Sequence, residues 1–155
     1  WSVSIAVRDT QGVVVGVVYA PTINSMYTAI RGGGSFLNGQ PLKCNDPIEI
    51  NRALISTGFH YQSQIREVEI NQFNKLIMKV RDIRRNGSAA IDICHVAAGL
   101  VDGYFEMGLH PWDRDAAELI ATEAGAKVSV HQLPESGLTI AAGAHLYEQL
   151  KAELL

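Results

Sequence analysis

The sequence has no apolar run long enough to cross a bilayer as a helix, so a membrane-spanning protein is not expected. It has only two cysteines, Cys44 and Cys94, and their separation does not fit the spacing of metal ligands. We interpret them as buried or idle thiols in a reducing compartment, which predicts a cytoplasmic protein.

Basic residues are also in short supply, since 13 Lys and Arg stand against 16 Asp and Glu and give a net charge of −3. Without a basic run, the chain offers no general attraction for nucleic acid or for an acidic membrane, and neither partner is expected. The five histidines are scattered with no HExxH-like spacing, so transition-metal chemistry is not expected either. The sequence has no G-x-S-x-G elbow and no P-loop.

What the sequence does have is 155 residues, 47% of them apolar, which is enough for one ordinary globular domain with a core. Alternating and β-branched runs between glycine-rich turns predict strands in the first third of the chain. Apolar residues at helical spacing then alternate with strand patterns, and they predict helices at 63–80, 88–101, 113–126 and 145–155. This order predicts an α/β fold class with antiparallel strands first.

Asp113 stands at the start of the third predicted helix, in the stretch MGLHPWDRDAAELIATEAGA. Two interpretations are open. An aspartate at a helix start accepts backbone N–H groups and complements the helix dipole, so a helix cap is the simpler interpretation. A carboxylate is also a ligand that Mg²⁺ favours, and Asp115 and Glu106 lie close in sequence. Spacing alone favours the cap.

The stretch RRNGSAAIDI opens the second predicted helix, with Ser88 as its candidate N-cap. Gly87 gives the backbone room, and Ser88 and Ala89 place unpaired N–H groups at the helix start, which suits an oxyanion or a polyol oxygen. An ordinary capped helix with a small packing face explains the same residues. Arg84 and Arg85 could neutralise a phosphate, although exposed arginines before a helix are usually just solvated.

Residues 84–126 closely resemble the C-terminal signature of the inositol monophosphatase family. In that signature G-S-A-A and G-Y-[FY]-E precede W-D, and a small-residue helix ends in E-A-G-[AG]. Residues 4–42 are similar to the family's paired strands with a G-G-G-[AS]-F-x-N-G turn, so the ordered elements cover nearly the whole chain. The resemblance implies the C-terminal part of the family's layered αβαβα sandwich, a mixed sheet flanked by helices.

The resemblance also implies an activity, the Mg²⁺-dependent hydrolysis of a phosphate monoester. Asp113 matches the aspartate that binds a catalytic metal and contacts a substrate hydroxyl. Glu106 matches the acid that accepts hydrogen bonds from polyol hydroxyls. Gly87, Ser88 and Ala89 match the helix-start segment that lines the substrate pocket.

Other parts of the family's site do not occur in this sequence. The family's remaining metal ligands come from an upstream glutamate and a D-P-[IL]-D-G-T motif, which would fall just before Trp1. We therefore expect no water-activating catalytic residue within the chain. Residues 1–50 are expected to complete the sheet of an absent N-terminal domain, and residues 51–155 to form a C-terminal α/β domain. One carboxylate cannot assemble a multi-metal site, so this chain alone is expected to be inactive.

Three residues around Asp113 need separate expectations. Trp112 is expected to pack so that it fixes the Asp113 rotamer. Arg114 and Asp115 stand where the family usually has apolar and small residues. Arg114 is expected to contact phosphate or to pair with Asp115, a poor geometry for neighbours in a helix. Asp115 is expected to be solvated or to complement the helix dipole, with an extra metal contact as the alternative.

The resemblance implies inositol monophosphate as the substrate and a homodimer as the assembly. Histidinol phosphate, fructose 1,6-bisphosphate and adenosine 3′,5′-bisphosphate are the alternative substrates. A hypothesis of another class is a non-catalytic fragment that serves dimerisation or scaffolding, because Ser2 to Val7 would expose an apolar strand edge. A D-G-T motif encoded upstream would favour the enzyme, and an unrelated upstream segment would favour the scaffold.

Overall fold

The computed structural model describes residues 1–155, and its ten strands form two five-stranded sheets beside four helices. The strands are β1 (Val3–Asp9), β2 (Gly12–Ala20), β3 (Ser25–Ile30), β4 (Ser35–Leu37), β5 (Gln40–Pro41), β6 (Leu54–Thr57), β7 (Asp82–Arg84), β8 (Gly103–Met107), β9 (Lys127–Gln132) and β10 (Gly137–Ala142). The helices are α1 (Ser63–Ile77), α2 (Ala89–Ala97), α3 (Pro111–Glu123) and α4 (Ala144–Leu154). The predicted α/β class is confirmed.

The first sheet is an antiparallel meander of β1 to β5 in chain order. Its glycine-rich turn between β3 and β4 needs two left-handed positions, Gly32 at φ 73° and Gly34 at φ 81°. The carboxylate of Glu123, at the end of α3, accepts the backbone N–H groups of Gly32 at 2.7 Å and Gly34 at 2.8 Å. The turn is therefore fixed to a helix as well as to its own strands.

The second sheet is mixed, with strand order β7-β6-β8-β10-β9. β6 runs parallel to β7 and to β8, whereas β10 runs antiparallel to β8 and to β9. The predicted mixed sheet flanked by helices is confirmed. A division into two domains at residue 50 stays a prediction.

The two sheets enclose α2 and α3, and α1 and α4 cover the far face of the second sheet. One core cluster joins Tyr27 of the first sheet, Ile93 of α2, Ile120 of α3 and Tyr104 of the second sheet. A second cluster joins the opposite face of β8 and β10 to α1 and α4. The layers therefore run sheet, helix pair, sheet, helix pair.

The outer face of the first sheet carries apolar side chains that no other element covers. β1 is an edge strand, and its residues Val3, Ile5 and Val7 are 44%, 55% and 50% exposed. The register places them on the same face as Ile30 of β3, which is 59% exposed. Only the inner face of this sheet is buried, against α3. None of the helices is long and apolar enough to cross a membrane.

Gly16 of β2 sets how closely the first sheet approaches α3. A Cβ atom at this position would lie 2.5 Å from the carbonyl oxygen of Ala116, which is backbone and cannot move aside like a flexible side chain. We expect Gly16→Ala to lower the free energy of unfolding by about 2 kcal/mol through overpacking. Urea denaturation of the full-length protein measures this change, and an unchanged midpoint would contradict the close contact.

Candidate functional site

A cavity of about 490 Å³ opens where five parts of the chain meet. They are the start of β1, the loop before α1, the start of α2, the end of β8 and the start of α3. The residues that line it are Trp1, Ser2, Ser4, Tyr61, Gly87, Ser88, Ala89, Ala90, Glu106, Leu109, Trp112 and Asp113. All five residues that the family resemblance implies for the site line this one cavity.

The start of α2 forms one wall. Gly87 adopts φ 87°, a left-handed conformation that strains any residue with a Cβ atom, and the flexible guanidinium group of Arg85 lies close beside it. Ser88 is the N-cap residue, as predicted, with extended dihedrals. Its hydroxyl makes no capping bond and lies 3.4 Å from the hydroxyl of Ser2. The N–H groups of the first turn have no partners within the helix, so this wall presents donors.

The two arginines before α2 take different positions. Arg84 pairs with Asp82 on the same short strand, and both are exposed, so this pair contributes little to stability. Arg85 is exposed, forms no ion pair, and has its guanidinium group beside Gly87, a residue that lines the cavity. Of the two, only Arg85 is placed to meet an anion in the cavity.

Glu106 of β8 supplies an acidic group on the opposite side. The hydroxyl of Tyr104 donates to its Oε2 atom, and its Oε1 atom has no hydrogen-bond partner within the protein. Burial raises the pKa of Glu106 to about 7, against the lowering effect of the Tyr104 hydrogen bond. The carboxyl therefore changes charge near neutral pH, which is common for functional groups in clefts.

A second buried acid, Asp92 of α2, lies behind the cavity. It is 1% exposed, and the side-chain amide of Asn86 donates to it at 2.6 Å. Burial raises its pKa to about 6, although Asn86, Ser56 and the backbone of Ser88 all favour the charged form. The charge of Asp92 contributes in turn to the raised pKa of Glu106.

Asp113 lies in the first turn of α3 but is not its N-cap residue, which corrects the simpler interpretation. His110 is the N-cap, Pro111 follows it, and Asp113 is the third residue of the helix. The Oδ2 atom of Asp113 accepts the backbone N–H of His110 at 3.0 Å, as in a capping box. Capping occupies one carboxylate oxygen, and the side chain still lines the cavity, so a cap and a ligand are compatible.

Trp112 does not fix the Asp113 rotamer, contrary to expectation. Its side chain is 71% exposed and stacks on the ring of His110, with centroids 4.4 Å apart. The position after Pro111 points away from the core because the helix turns its apolar face, beginning at Ala116, towards the sheets. The hydrogen bond from the backbone of His110 orients Asp113 instead.

The expectation that Asp115 is solvated is wrong. Asp115 is 7% exposed and pairs with Arg8 of β1, because α3 packs along that strand. Arg114 pairs with Glu118 one turn later at 2.6 Å, and its nearest approach to Asp115 is 3.9 Å. Neither Arg114 nor Asp115 lines the cavity. Asp115 holds α3 against β1, whereas Arg114 pairs within its own helix.

The residues present fit a magnesium site only in part. Asp113 offers a hard carboxylate oxygen, the donor type that Mg²⁺ favours. The chain holds no group of three or more His, Cys, Asp or Glu side chains placed to bind a metal ion together. Asp113 therefore fits as a single magnesium ligand, and no cluster within the chain completes such a site.

Comparison with known proteins gives the family. The profile described as the inositol monophosphatase family matches residues 1–154. The chain belongs to the inositol monophosphatase family. Nus factor SuhB of Haemophilus influenzae is 46% identical to it over 129 residues, which cover 83% of this chain and 48% of that protein. The chain spans about half the length of the curated relatives it matches.

Solved structures agree with the family and with the fold. Mycobacterium tuberculosis SuhB superposes with a TM-score of 0.90 at 37% identity, covering 99% of this chain and 63% of that chain. An inositol monophosphatase from Anabaena (Nostoc) sp. PCC 7120 superposes with a TM-score of 0.88 at 33% identity, with the same coverage. The predicted family and fold are confirmed.

The raised pKa values make stability depend on pH. Glu106 and Asp92 bind protons more tightly in the folded protein than in the unfolded chain, where both titrate near about pH 4. Their stabilising contribution is present below that pH and is lost as the pH rises through about 6 to about 7. Glu106→Gln cannot ionise, so we expect it to reduce this loss by about 3 kcal/mol.

Urea denaturation of the full-length protein at several pH values, with a chelator present, measures the effect. Glu67→Gln, an exposed glutamate on α1, is the matched control and should keep the wild-type pH dependence. Identical pH dependence in both variants would show that Glu106 ionises as an exposed carboxylate does.

Proposed function

We propose that the full-length protein is a Mg²⁺-dependent phosphomonoesterase that releases phosphate from a polyol phosphate of the inositol monophosphate type. The observation that carries this proposal is the convergence of Gly87, Ser88, Ala89, Glu106 and Asp113 on one cavity. These residues come from three separate elements of a chain that belongs to this family. Their groups complement the two ends of such a substrate, because donors face an oxyanion and acceptors face hydroxyls.

Each wall of the cavity has a distinct task in this proposal. The N–H groups at the start of α2 and the Ser88 hydroxyl donate to substrate oxygens. The free Oε1 atom of Glu106 accepts from ring hydroxyls of the leaving polyol. Arg85 lies beside Gly87, where its charge attracts the phosphate dianion.

Asp113 would hold magnesium through a carboxylate oxygen, with the remaining ligands supplied from outside residues 1–155. Magnesium held there would supply a nucleophilic water and stabilise the leaving oxygen. We propose that the water-activating group also lies outside residues 1–155. We accordingly propose that residues 1–155 alone do not turn over substrate.

The substrate class is the part of this proposal with the most alternatives. Histidinol phosphate, fructose 1,6-bisphosphate and adenosine 3′,5′-bisphosphate remain candidates beside inositol monophosphate. Glu106 favours the inositol type, because a carboxylate at the cavity wall accepts hydrogen bonds from a leaving group with several hydroxyls. We further propose a homodimer, and a cytoplasmic location consistent with the two buried, unpaired thiols.

A second candidate function follows from the names of the relatives. Proteins named Nus factor SuhB are 39% to 46% identical to this chain. A role in binding a partner would not need the cavity. The exposed apolar face of the first sheet offers a surface for a partner. The test is a variant that keeps its fold but releases no phosphate, expressed in cells in place of the wild type. If these cells lose the function of the protein, the enzyme is favoured. If they retain it, the binding role is favoured.

The role of Asp113 is tested by Asp113→Asn in the full-length protein. The amide keeps the shape and the acceptor for the His110 N–H but removes the charge that a metal needs. We expect phosphate release to fall about 100-fold or more, with the free energy of unfolding changed by less than about 1 kcal/mol.

Asp46→Asn is the matched control, because the Asp46 carboxylate accepts the backbone N–H of His145 at 2.9 Å at the start of α4, away from the cavity. It should match the test variant in stability and the wild type in turnover. Near-normal turnover in Asp113→Asn would leave Asp113 as a helix cap only.

Glu106→Gln tests the polyol role. The amide keeps one acceptor oxygen but loses the charge, so the hydrogen bonds to ring hydroxyls weaken. We expect the KM for inositol 1-phosphate to rise about tenfold, while hydrolysis of p-nitrophenyl phosphate, whose leaving group has no such hydroxyls, changes little. Equal effects on both substrates would argue against polyol recognition, and Glu67→Gln again serves as the control.

A further inference from the structure

The carboxylate of Glu106 is held in place by neighbouring buried residues. Tyr104 and Glu106 are two residues apart on β8, so both point to the same face of the sheet. Tyr104 is fully buried, and its hydroxyl donates to Oε2 of Glu106. A buried hydroxyl that keeps one partner in a fixed place restricts the rotamers of that partner.

Gly58, just after β6, lies directly against the Glu106 carboxylate. A Cβ atom on Gly58 would lie 2.2 Å from the carboxyl carbon and from both carboxyl oxygens of Glu106. The carboxylate therefore lies directly against the backbone, where only glycine leaves it room. The Tyr104 hydroxyl occupies Oε2, so Oε1 is the oxygen left without a hydrogen-bond partner in a side chain that lines the cavity.

Glu69 of α1 connects the loop that contains Gly58 to strand β8. It is 1% exposed, and it accepts the backbone N–H of His60 at 2.6 Å and that of Met107 at 3.1 Å. His60 follows Gly58 by two residues, and Met107 follows Glu106 directly. One buried side chain thus connects the loop under Glu106 to the strand that carries it.

We propose that Tyr104 is a positioning residue that holds Glu106 so that its free oxygen meets adjacent hydroxyls of the leaving polyol. This inference rests on the proposed function, and it assigns the choice between polyol and simple phosphate esters to a side chain that never touches the substrate. Without the Tyr104 hydroxyl, the Glu106 side chain samples other rotamers. Binding of a polyol then requires the carboxylate to be ordered first, which lowers affinity.

The experiment is Tyr104→Phe in the full-length protein, which removes one oxygen and keeps the ring in the core. We expect the KM for inositol 1-phosphate to rise about tenfold, with kcat and p-nitrophenyl phosphate hydrolysis within about twofold of wild type. Tyr27→Phe, in a buried tyrosine of the same core cluster, is the control and should change neither substrate's kinetics. A merely structural role for Tyr104 would lower turnover of both substrates together.

A double-mutant cycle with Glu106→Gln separates positioning from independent effects. If Tyr104 acts through Glu106, the two changes together raise the KM little more than Glu106→Gln alone does. Fully additive effects would overturn the proposal, as would a wild-type KM in Tyr104→Phe. A wild-type protein that releases no phosphate from any polyol ester would instead refute the proposed function.

A readout that needs no turnover keeps the positioning claim testable in that case. With ¹³C-labelled glutamate in the metal-free full-length protein, and Glu106→Gln for assignment, the Glu106 carboxyl is titrated by NMR. Loss of the Tyr104 hydrogen bond should raise the pKa of Glu106, because that bond favours the charged form. An unchanged titration in Tyr104→Phe would show that the hydroxyl does not hold the carboxylate.

Discussion

The packing of α2 and α3 between two sheets is the constraint on which the rest of the molecule depends. Each helix buries one side against the first sheet or the other helix and the other side against the second sheet, in one continuous core. Small residues allow this close approach, and at Gly16 the backbone of β2 lies against that of Ala116. The same packing brings the starts of both helices together beside the end of β8. The cavity is the gap that these three ends leave beside the start of β1 and the loop before α1.

Electrostatics then gives this gap its chemistry. The helix starts present unpaired N–H groups, which favour anions. Glu106 and Asp92 are acids whose pKa values burial raises, so they lie close to changing charge at neutral pH. Such groups reduce stability above neutral pH, and proteins retain this cost where function requires it. A cavity with donors on one wall and an acceptor on the other suits a phosphate joined to a polyol.

The sequence predicted the local features of this site because their causes are local. G-S-A-A predicts a helix start at Ser88, and the structure places one there. The family resemblance brought Glu106 and Asp113 together, which spacing alone could not do. The Tyr104–Glu106 pair had a sequence signal, since alternate residues of a strand share a face. That signal has weight only once the strand is known to border a site.

What sequence reasoning missed depends on contacts between distant segments. Arg8 and Asp115 are 107 residues apart, and only the packing of α3 on β1 shows that Asp115 is buried. The same holds for Glu69, which reaches Met107 across 38 residues. Trp112 was expected to pack, but the turn that follows Pro111 directs it to solvent. Each of these errors concerned an orientation that no neighbouring residue determines.

The most direct test is a crystal structure of the full-length protein with inositol 1-phosphate and Mn²⁺, located by its anomalous signal. We predict a metal peak about 2 Å from a carboxylate oxygen of Asp113. We also predict ring hydroxyls on Oε1 of Glu106 and phosphate oxygens at the start of α2. A ligand bound elsewhere, with no metal near Asp113 and its carboxylate bonded only to His110, would contradict this site.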